Sequence, residues 1–314
     1  ITWDLNHGGK SSDHWRSVEH VVATNGVLLA GTTRSGTMGE SDGWLMELDG
    51  KGKQLWQLII GGAGFDSLEG VTRSKQGMVI AVGGRDTLST YKTQAWVLWL
   101  NKQGKVVEEK TYGGESNDFL YDVSAVGEDV VVSGLTFTAG KQGDGAGMLM
   151  RLNNGGKVLW KKLVGGPKYE TLVGLQYPGG GVLYAIGATN DTLLGNYNGL
   201  LVAVQSNGTV EWEKNFGSAT EERFRAITAM SNGLVAVGYA DGSFGKGKEG
   251  WIVRFDHSGK LLWQISNGGN GADYLNGVAR TMDSGVVAVG MTSSNKGSDG
   301  WVIRLDDAGN TQCK

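Results

Sequence analysis

A unit of about 52 residues recurs six times along the chain, and this repeat constrains the fold more than any other feature. Each unit has a glycine at the end of an apolar, alternating segment, and successive glycines are 52, 51, 53, 51 and 52 residues apart. The six glycines are Gly31, Gly83, Gly134, Gly187, Gly238 and Gly290. A fixed period over the whole chain is typical of a repeat architecture rather than of unrelated domains.

Each unit contains four segments that have the composition and alternation of β-strands. Examples are GMVIAVG (77–83), WLMELD (44–49) and QLWQLII (54–60). The turns between them are rich in glycine, of which the chain has 54, whereas it has only 2 prolines. Four antiparallel strands in each of six units predict an all-β, six-bladed β-propeller that forms one domain over residues 1–314.

The two ends of the chain predict how the ring of blades closes. Trp3 precedes the pair Gly8–Gly9 as Trp56 precedes Gly61–Gly62, so the chain begins with a fourth strand that has no first three. In the last unit Cys313 stands where this tryptophan belongs, and we assign it no role. We therefore predict that residues 1–7 supply the outer strand of the last blade and remove its unpaired edge.

Charge and hydropathy exclude two classes of function. The formal charge is −3, from 29 basic and 32 acidic residues that are well mixed, so no basic stripe indicates nucleic-acid binding. The sequence has no run of about 18 apolar residues, which is the length that a helix needs to span a bilayer. The only cysteine is Cys313, so an internal disulfide is not expected. The chain starts at Ile1, as it would after removal of an export signal or after trimming.

Two tryptophan positions recur along the repeat, and we predict that both serve packing. One set precedes the glycine pairs, where a large side chain can dock one blade on the next. The other set begins the third strand, where stacking on a carbohydrate is the alternative role. The first set is Trp3, Trp56, Trp160, Trp212 and Trp263, and the second is Trp44, Trp96, Trp251 and Trp301.

A carboxylate lies ten residues after the docking-tryptophan position in every unit, and in five of the six units a glycine pair precedes it, as in GGxxxD. The six residues are Asp13, Asp66, Asp118, Glu170, Glu222 and Asp273. Each starts an inner strand near the central axis, so two interpretations are open. Each carboxylate could accept N–H bonds from its own tight loop. Alternatively, the six together could form an acidic channel mouth that binds a cationic ligand or calcium. Apart from calcium we expect no cofactor.

The loops between the second and third strands are polar and variable, which is typical of binding loops on a rigid scaffold. Asp42, Glu249 and Asp299 share one position of the repeat, with Asn198 at that position in the fourth unit. We take these three acidic residues as further ligand-binding candidates. Solvated loops without a ligand are the alternative.

Enzyme chemistry, if the chain has any, is expected where residues depart from the repeat just inside the carboxylates. His14, Arg16, Tyr121, Arg225 and Tyr274 are the candidates, with Phe119, Arg223 and Asn276 beside them. A histidine or tyrosine base, with an arginine that neutralises a carboxylate, suits a polysaccharide lyase. A glycoside hydrolase would instead use two of the carboxylates. No pair has a diagnostic spacing, so binding is favoured over catalysis.

The repeated motifs resemble a known bacterial family. The pattern GGxxxD, GxVxAGxTxS and DGWxxxLDxxGxxLW is similar to the SBBP-type β-propeller repeat, over essentially the whole chain. The tryptophan of LDGKGKQLW (48–56) also resembles the docking tryptophan of quinoprotein-type propellers. The resemblance implies an exported bacterial protein that is secreted, periplasmic or on the cell surface.

Three functions are therefore open. The first is a monomeric binding propeller that recognises a protein or glycan through the face with the GGxxxD and strand 2–3 loops. The second is a polysaccharide-active enzyme with its site at the channel mouth, and the third is a purely structural module. A fold alone does not separate them, because function resides in sites.

Overall fold

The computed structural model has six antiparallel β-sheets, and it contains no helix in the residues it describes. These sheets are the blades of an all-β, six-bladed β-propeller, which confirms the predicted fold class. The described residues are 3–37, 39–87, 92–137, 145–165, 169–190, 196–218, 220–242, 247–269, 271–294 and 297–311. In this part of the chain no helix could cross a membrane.

The chain divides into two compact units, residues 1–164 and 165–314, which hold three blades each. Blade 1 comprises β1 (Asp13–Val21), β2 (Gly26–Thr33), β3 (Asp42–Leu48) and β4 (Gln54–Ile60). Blade 2 comprises β5 (Asp66–Arg73), β6 (Val79–Thr87), β7 (Lys92–Leu100) and β8 (Val106–Tyr112). Blade 3 comprises β9 (Asp118–Val126), β10 (Asp129–Thr136), β11 (Ala146–Leu152) and β12 (Val158–Val164).

The second unit holds blades 4, 5 and 6. Blade 4 comprises β13 (Glu170–Gln176), β14 (Val182–Thr189), β15 (Asn198–Gln205) and β16 (Val210–Phe216). Blade 5 comprises β17 (Glu222–Met230), β18 (Gly233–Asp241), β19 (Lys248–Phe255) and β20 (Leu261–Asn267). Blade 6 comprises β21 (Tyr274–Arg280), β22 (Val286–Ser294) and β23 (Gly297–Leu305). The prediction that all six blades form one domain stays a prediction.

The repeated glycine is required where the second strand passes an irregularity in the first. In blade 2 the pairing of β5 with β6 shifts between Leu68 and Gly70, next to the pair Leu68–Gly83. A methyl carbon added to Gly83 would lie 2.0 Å from the Ser67 carbonyl oxygen. At all six repeat glycines the corresponding distance is between 1.8 and 2.0 Å. The periodic signal in the sequence is therefore a steric requirement of one backbone crossing.

The apolar core lies between neighbouring blades of each unit. In the first unit one cluster joins blades 1 and 2, and a second joins blades 2 and 3. In the second unit, clusters join blade 4 with blade 5 and blade 5 with blade 6. The third strands of blades 1 to 5 are largely buried, whereas β23 of blade 6 is mostly exposed. The fourth strands, such as β4, alternate between half-buried and exposed residues. Blades 2 and 5, which have a neighbour on each side within their unit, therefore bury both faces.

The tryptophans before the glycine pairs dock one blade on the next, as predicted. Trp56 packs on the turn of the following blade, where a methyl carbon added to Gly104 would lie 2.4 Å from its ring. Its indole N–H donates to Glu47 at 2.8 Å. Glu108 stands at this position in blade 2, and there the Tyr112 hydroxyl donates to the Gly156 carbonyl of blade 3 at 2.6 Å.

Residues 3–7 take only part of the role predicted for residues 1–7. The Trp3 indole N–H donates to the Gly50 carbonyl at 3.1 Å, and its ring lies against Gly52, which is the docking contact of the other tryptophans. Residues 3–7 form no strand, however, and blade 6 has three strands in the described residues, so the predicted fourth strand is not seen there. The docking contact holds Trp3 and Leu5 on the turn of blade 1. Ile1 and Cys313 lie outside the described residues.

Candidate functional site

The repeated carboxylates hold together the two loops at one end of their own blade. Asp66 accepts from the Gly62 N–H at 2.5 Å and from the Asp86 N–H at 2.9 Å. Asp273 makes the same two bonds, from the Gly269 N–H at 2.7 Å and the Ser293 N–H at 3.2 Å. In each case the carboxylate joins the glycine-pair loop to the end of the second strand.

In blades 3, 4 and 5 the carboxylate bonds to at least one of these two loops, with different donors. Asp118 accepts from the Gly114 N–H at 3.1 Å, and Glu170 from the Thr189 hydroxyl at 3.2 Å. Glu222 accepts from the Ser218 hydroxyl at 2.7 Å. Asp13 is half-buried, and the other five repeated carboxylates are at most 4% exposed. Their burial and their contacts favour the first of the two interpretations above, in which each carboxylate serves its own loop.

Hydrogen bonding and burial act on these carboxylates in opposite directions. Burial raises the pKa of Asp66, the N–H bonds from Gly62 and Asp86 oppose this, and the nearby carboxylate of Asp42 adds a small further rise. Burial would also raise the pKa of Asp13, but donation from Thr33 and three other groups outweighs it, so that pKa is lowered. The described residues hold no group of three or more His, Cys, Asp or Glu side chains arranged to bind a metal ion. Ligand or calcium binding by these carboxylates stays a prediction.

The three acidic residues that share a position before the third-strand tryptophan lie in different surroundings. Asp42 begins β3 and is 2% exposed, and an atom added to Gly61 would contact both its carboxylate and that of Asp66. Glu249 is half-buried in β19, whereas Asp299 is exposed in β23. The common sequence position therefore does not give a common environment, and a ligand-binding role for these residues stays a prediction.

Of the five candidate catalytic residues, Arg225 and Tyr274 lie close together within the second unit. His14 and Arg16 lie exposed on β1, with the Arg16 guanidinium 3.6 Å from the Glu69 carboxylate. Tyr121 stacks on Phe119, with ring centroids 5.7 Å apart. In the second unit the Arg225 guanidinium lies 5.5 Å from the centroid of the Tyr274 ring.

Arg225 and Tyr274 belong to a larger group, which we call the Arg–Tyr cluster. It combines two arginines, one lysine and one carboxylate with three tyrosines from blades 4, 5 and 6. Its members are Tyr197, Glu221, Arg223, Arg225, Tyr239, Lys248 and Tyr274.

Glu221 is the centre of the cluster and fixes its cations. Its carboxylate accepts from Arg223 at 2.7 Å, from Lys248 at 2.7 Å and from the Tyr239 hydroxyl at 3.1 Å. Burial would raise the pKa of Glu221, but Lys248 and Arg223 outweigh it, and the pKa is lowered. Arg223 also lies 3.5 Å over the Tyr197 ring. These contacts hold the arginine in one orientation before any ligand arrives.

Arg225 is the exposed cation of the cluster. It lies 5.3 Å from the Tyr239 ring, which meets the Tyr274 ring edge-on at 5.0 Å. It donates to the Asn276 side-chain oxygen at 3.2 Å and keeps an exposed side chain. A guanidinium held between aromatic rings can bind a carboxylate or carbonyl oxygen and stack against an incoming side chain.

The sequence pointed to Arg225 and Tyr274 but missed the other residues that hold them. Tyr239 follows the repeat glycine, where other blades have Thr32, Gly84 or Ala188. Lys248 stands where blade 1 has Ser41. Both residues depart from the repeat. Departure from the repeat is the signal that indicates Arg225 on a first strand, and it also indicates Tyr239 and Lys248 when the second and third strands are compared.

A family model described as "Outer membrane protein assembly factor BamB" matches residues 145–307, which are 163 of the 314 residues. The chain belongs to this family. The BamB family match supports the likeness to quinoprotein-type propellers, whereas the SBBP-type repeat family is not shown. Among curated proteins, none matches the chain.

Several solved structures resemble the chain in fold. The Pan2 WD40 domain of Neurospora crassa is 12% identical, with a TM-score of 0.53 over 79% of this chain and 64% of that one. A protein of unknown function from Bacteroides caccae is 13% identical, with a TM-score of 0.51 over 82% and 83%. The subtype N11 neuraminidase-like protein of A/flat-faced bat/Peru (H18N11) is 13% identical, with a TM-score of 0.50 over 90% and 84%. The chain thus spans less than two thirds of the Neurospora chain, and identities this low support the fold only.

Proposed function

We propose that this protein is an exported bacterial interaction propeller that binds a protein partner with the face that carries the GGxxxD and strand 2–3 loops. The Arg–Tyr cluster is the main contact on that face. The observation that carries the proposal is the exposed Arg225 guanidinium, which lies between the rings of Tyr239 and Tyr274.

Arginine and tyrosine dominate the binding energy of protein interfaces, because they offer large contact area together with directional donors. In the cluster these side chains are already held by Glu221 and Lys248, so binding would order few additional rotamers. The loops on this side are also joined to each other. The Glu222 N–H donates to the Tyr197 carbonyl at 2.8 Å, and the Asp273 N–H to the Lys248 carbonyl at 2.8 Å.

The family supports the choice of a protein partner and of an exported location. Its description names an assembly factor for outer-membrane proteins, which acts on other proteins. On this ground we propose that the chain acts outside the cytoplasm, facing the outer membrane. The alternative drawn from the sequence is a polysaccharide-active enzyme, whose candidate residues also include His14, Arg16 and Tyr121 of the first unit.

Site-specific crosslinking in the source bacterium tests the proposal. A photoreactive residue at Asn276, beside Arg225, should give one discrete crosslinked protein band in an exported fraction. Arg225→Ala in the same chain should remove that band, whereas Lys162→Ala, a change of an exposed cation on β12 of the first unit, should leave it. A band of equal strength with Arg225→Ala would refute the role of the cluster. Chain found only in the cytoplasm would refute export.

A further inference from the structure

A cleft of about 530 Å³ lies in blade 1, between the segment His7–Ser11 and the side chains of Trp44, Gln57 and Ile59. Its volume falls within the range of roughly 300–1,000 Å³ that small-ligand sites have. A second cleft, of about 540 Å³, lies at the same position of the repeat in blade 5, where Trp251 and Gln264 correspond to Trp44 and Gln57.

Blade 2 has the same tryptophan, but arginine covers it. Arg85 lies 5.4 Å from the Trp96 ring centroid and forms an ion pair with Glu109. Two residues after the repeat glycine, blade 1 has Thr33 and blade 5 has Ala240 in place of Arg85. These short side chains do not cover the third-strand tryptophan as Arg85 does.

The tryptophan of the blade 1 cleft has a polar group without a partner. In blade 2 the Trp96 N–H donates to Glu109 at 3.0 Å, and in blade 5 the Trp251 N–H donates to Gln264 at 3.2 Å. Trp44 is 4% exposed, and its Nε1 has no hydrogen-bond partner in the described structure. Gln57 follows Trp44 by thirteen residues, just as Gln264 follows Trp251, but it does not accept this N–H. A buried donor left without an acceptor is unfavourable, and an acceptor from outside the chain would remove this penalty.

Two further groups that line this cleft can donate to a ligand. Nε2 of His7 is buried and lacks a hydrogen-bond partner among the described residues, and it donates when it carries the ring proton. Lys10 supplies the positive charge, and none of the described residues that line the cleft is a carboxylate. The nearby Asp13 is occupied by its own loop, since it accepts from Gly9 at 2.8 Å and Ser35 at 2.9 Å.

We propose that the blade 1 cleft binds a carboxylate group, which accepts from the Trp44 N–H and from His7 and is neutralised by Lys10. Such charge-assisted bonds are stronger than neutral ones, and a carboxylate has two oxygens with which to accept from the two buried nitrogens. The blade 5 cleft differs in both respects. Its tryptophan N–H is already paired, and Glu222 and Asp241 line it, so it should reject an anion. The inference does not depend on the Arg–Tyr cluster.

The indole N–H resonances of the whole chain provide the test, with Trp44 assigned from a Trp44→Phe variant. N-acetyl-glutamate and glucuronate, which represent an acidic peptide and a sugar acid, are titrated separately at constant ionic strength. N-acetyl-glutamine amide is the uncharged control. We expect a saturable shift of the Trp44 resonance with at least one of the acids and none with the amide. The acid that binds more tightly identifies the source of the carboxylate.

Gln57→Glu is the decisive variant, because Glu109 at the same position of blade 2 accepts the tryptophan N–H. This change should satisfy Trp44 internally and weaken binding of the acid by at least about tenfold. Trp251→Phe should leave binding unchanged. The proposal is overturned if neither acid shifts the Trp44 resonance, if the amide shifts it equally, or if Gln57→Glu binds as well as the wild type.

Discussion

The steric requirement at the repeat glycine gives the sharpest prediction about stability. Gly83→Ala would place a methyl carbon 2.0 Å from the Ser67 carbonyl oxygen and 2.9 Å from the Leu68 α-carbon. Both neighbours are backbone atoms, so no side chain can rotate away. To lengthen the contact with the Ser67 oxygen to 3.0 Å, below which real Cβ atoms essentially never lie, the two strands would have to separate by about 1 Å where they pair.

The size of the effect follows from the two costs of that separation. Overpacking in a well-packed interior costs about 1–3 kcal/mol, and weakening one backbone hydrogen bond adds about 0.5–1.5 kcal/mol. We therefore expect Gly83→Ala to lower the free energy of unfolding by about 2–4 kcal/mol. The measurement is urea unfolding followed by tryptophan fluorescence, with the midpoint and slope fitted for each variant.

Gly300→Ala is the matched control for this prediction. Gly300 is also a strand glycine, paired with Met291 in blade 6, but a methyl carbon added there would meet no atom within 4 Å. This change should alter stability by less than about 0.5 kcal/mol, as exposed substitutions usually do. If Gly83→Ala were as stable as Gly300→Ala, the explanation of the repeat by backbone crowding would be wrong.

Three further predictions concern docking, burial and charge. Trp56→Ala removes the ring on Gly104 and the bond to Glu47, and should cost about 3–5 kcal/mol in urea unfolding, whereas Trp56→Phe should cost less. Arg254 is 1% exposed and donates to the Phe255 carbonyl at 3.0 Å and to Asp307 at 3.2 Å. Arg254→Ala should therefore cost about 3–5 kcal/mol in the same assay, and a loss below 1 kcal/mol would contradict this. The pKa values of Glu221 and Asp241 are lowered from their ordinary 4.5 and 3.8, largely because their bonds to Lys248 outweigh burial. A lowered carboxyl pKa stabilises the fold above the ordinary value and loses this effect as pH falls, so thermal melting of Glu221→Gln should depend less on pH below about 4.5 than that of the wild type.

The fold could be predicted from the sequence because its main requirement repeats. A backbone crossing that admits only glycine must carry glycine in every blade, and Gly31 to Gly290 show this period directly. The docking position was equally readable, since the turn glycines such as Gly104 accept one large ring each. The pairing of residues 1–7 was less predictable, because a terminal segment can keep its tryptophan contact, as Trp3 does, without forming a strand.

The candidate site could be predicted only in part, because a contact depends on pairs of residues and the repeat describes single positions. Arg225 and Tyr274 departed from the repeat on first strands and were found. Glu221 precedes the repeated carboxylate and belongs to no pattern, yet it fixes Arg223 and Lys248. Its role appears only when three strands of blade 5 and their loops are placed together.

Positions of the repeat fall into two kinds, those that build the blades and those that are available to a ligand. A position that recurs in every blade is expected to meet the same kind of partner each time, as Asp66 and Asp273 each meet an N–H group of their own loop. A position can recur, however, while its partner changes. Trp44, Trp96 and Trp251 are one repeated residue, but only the N–H groups of Trp96 and Trp251 have an acceptor in the structure. The repeat therefore identifies a functional position in two ways, by a residue that differs, as at Arg225, and by an unchanged residue that has lost its partner, as at Trp44.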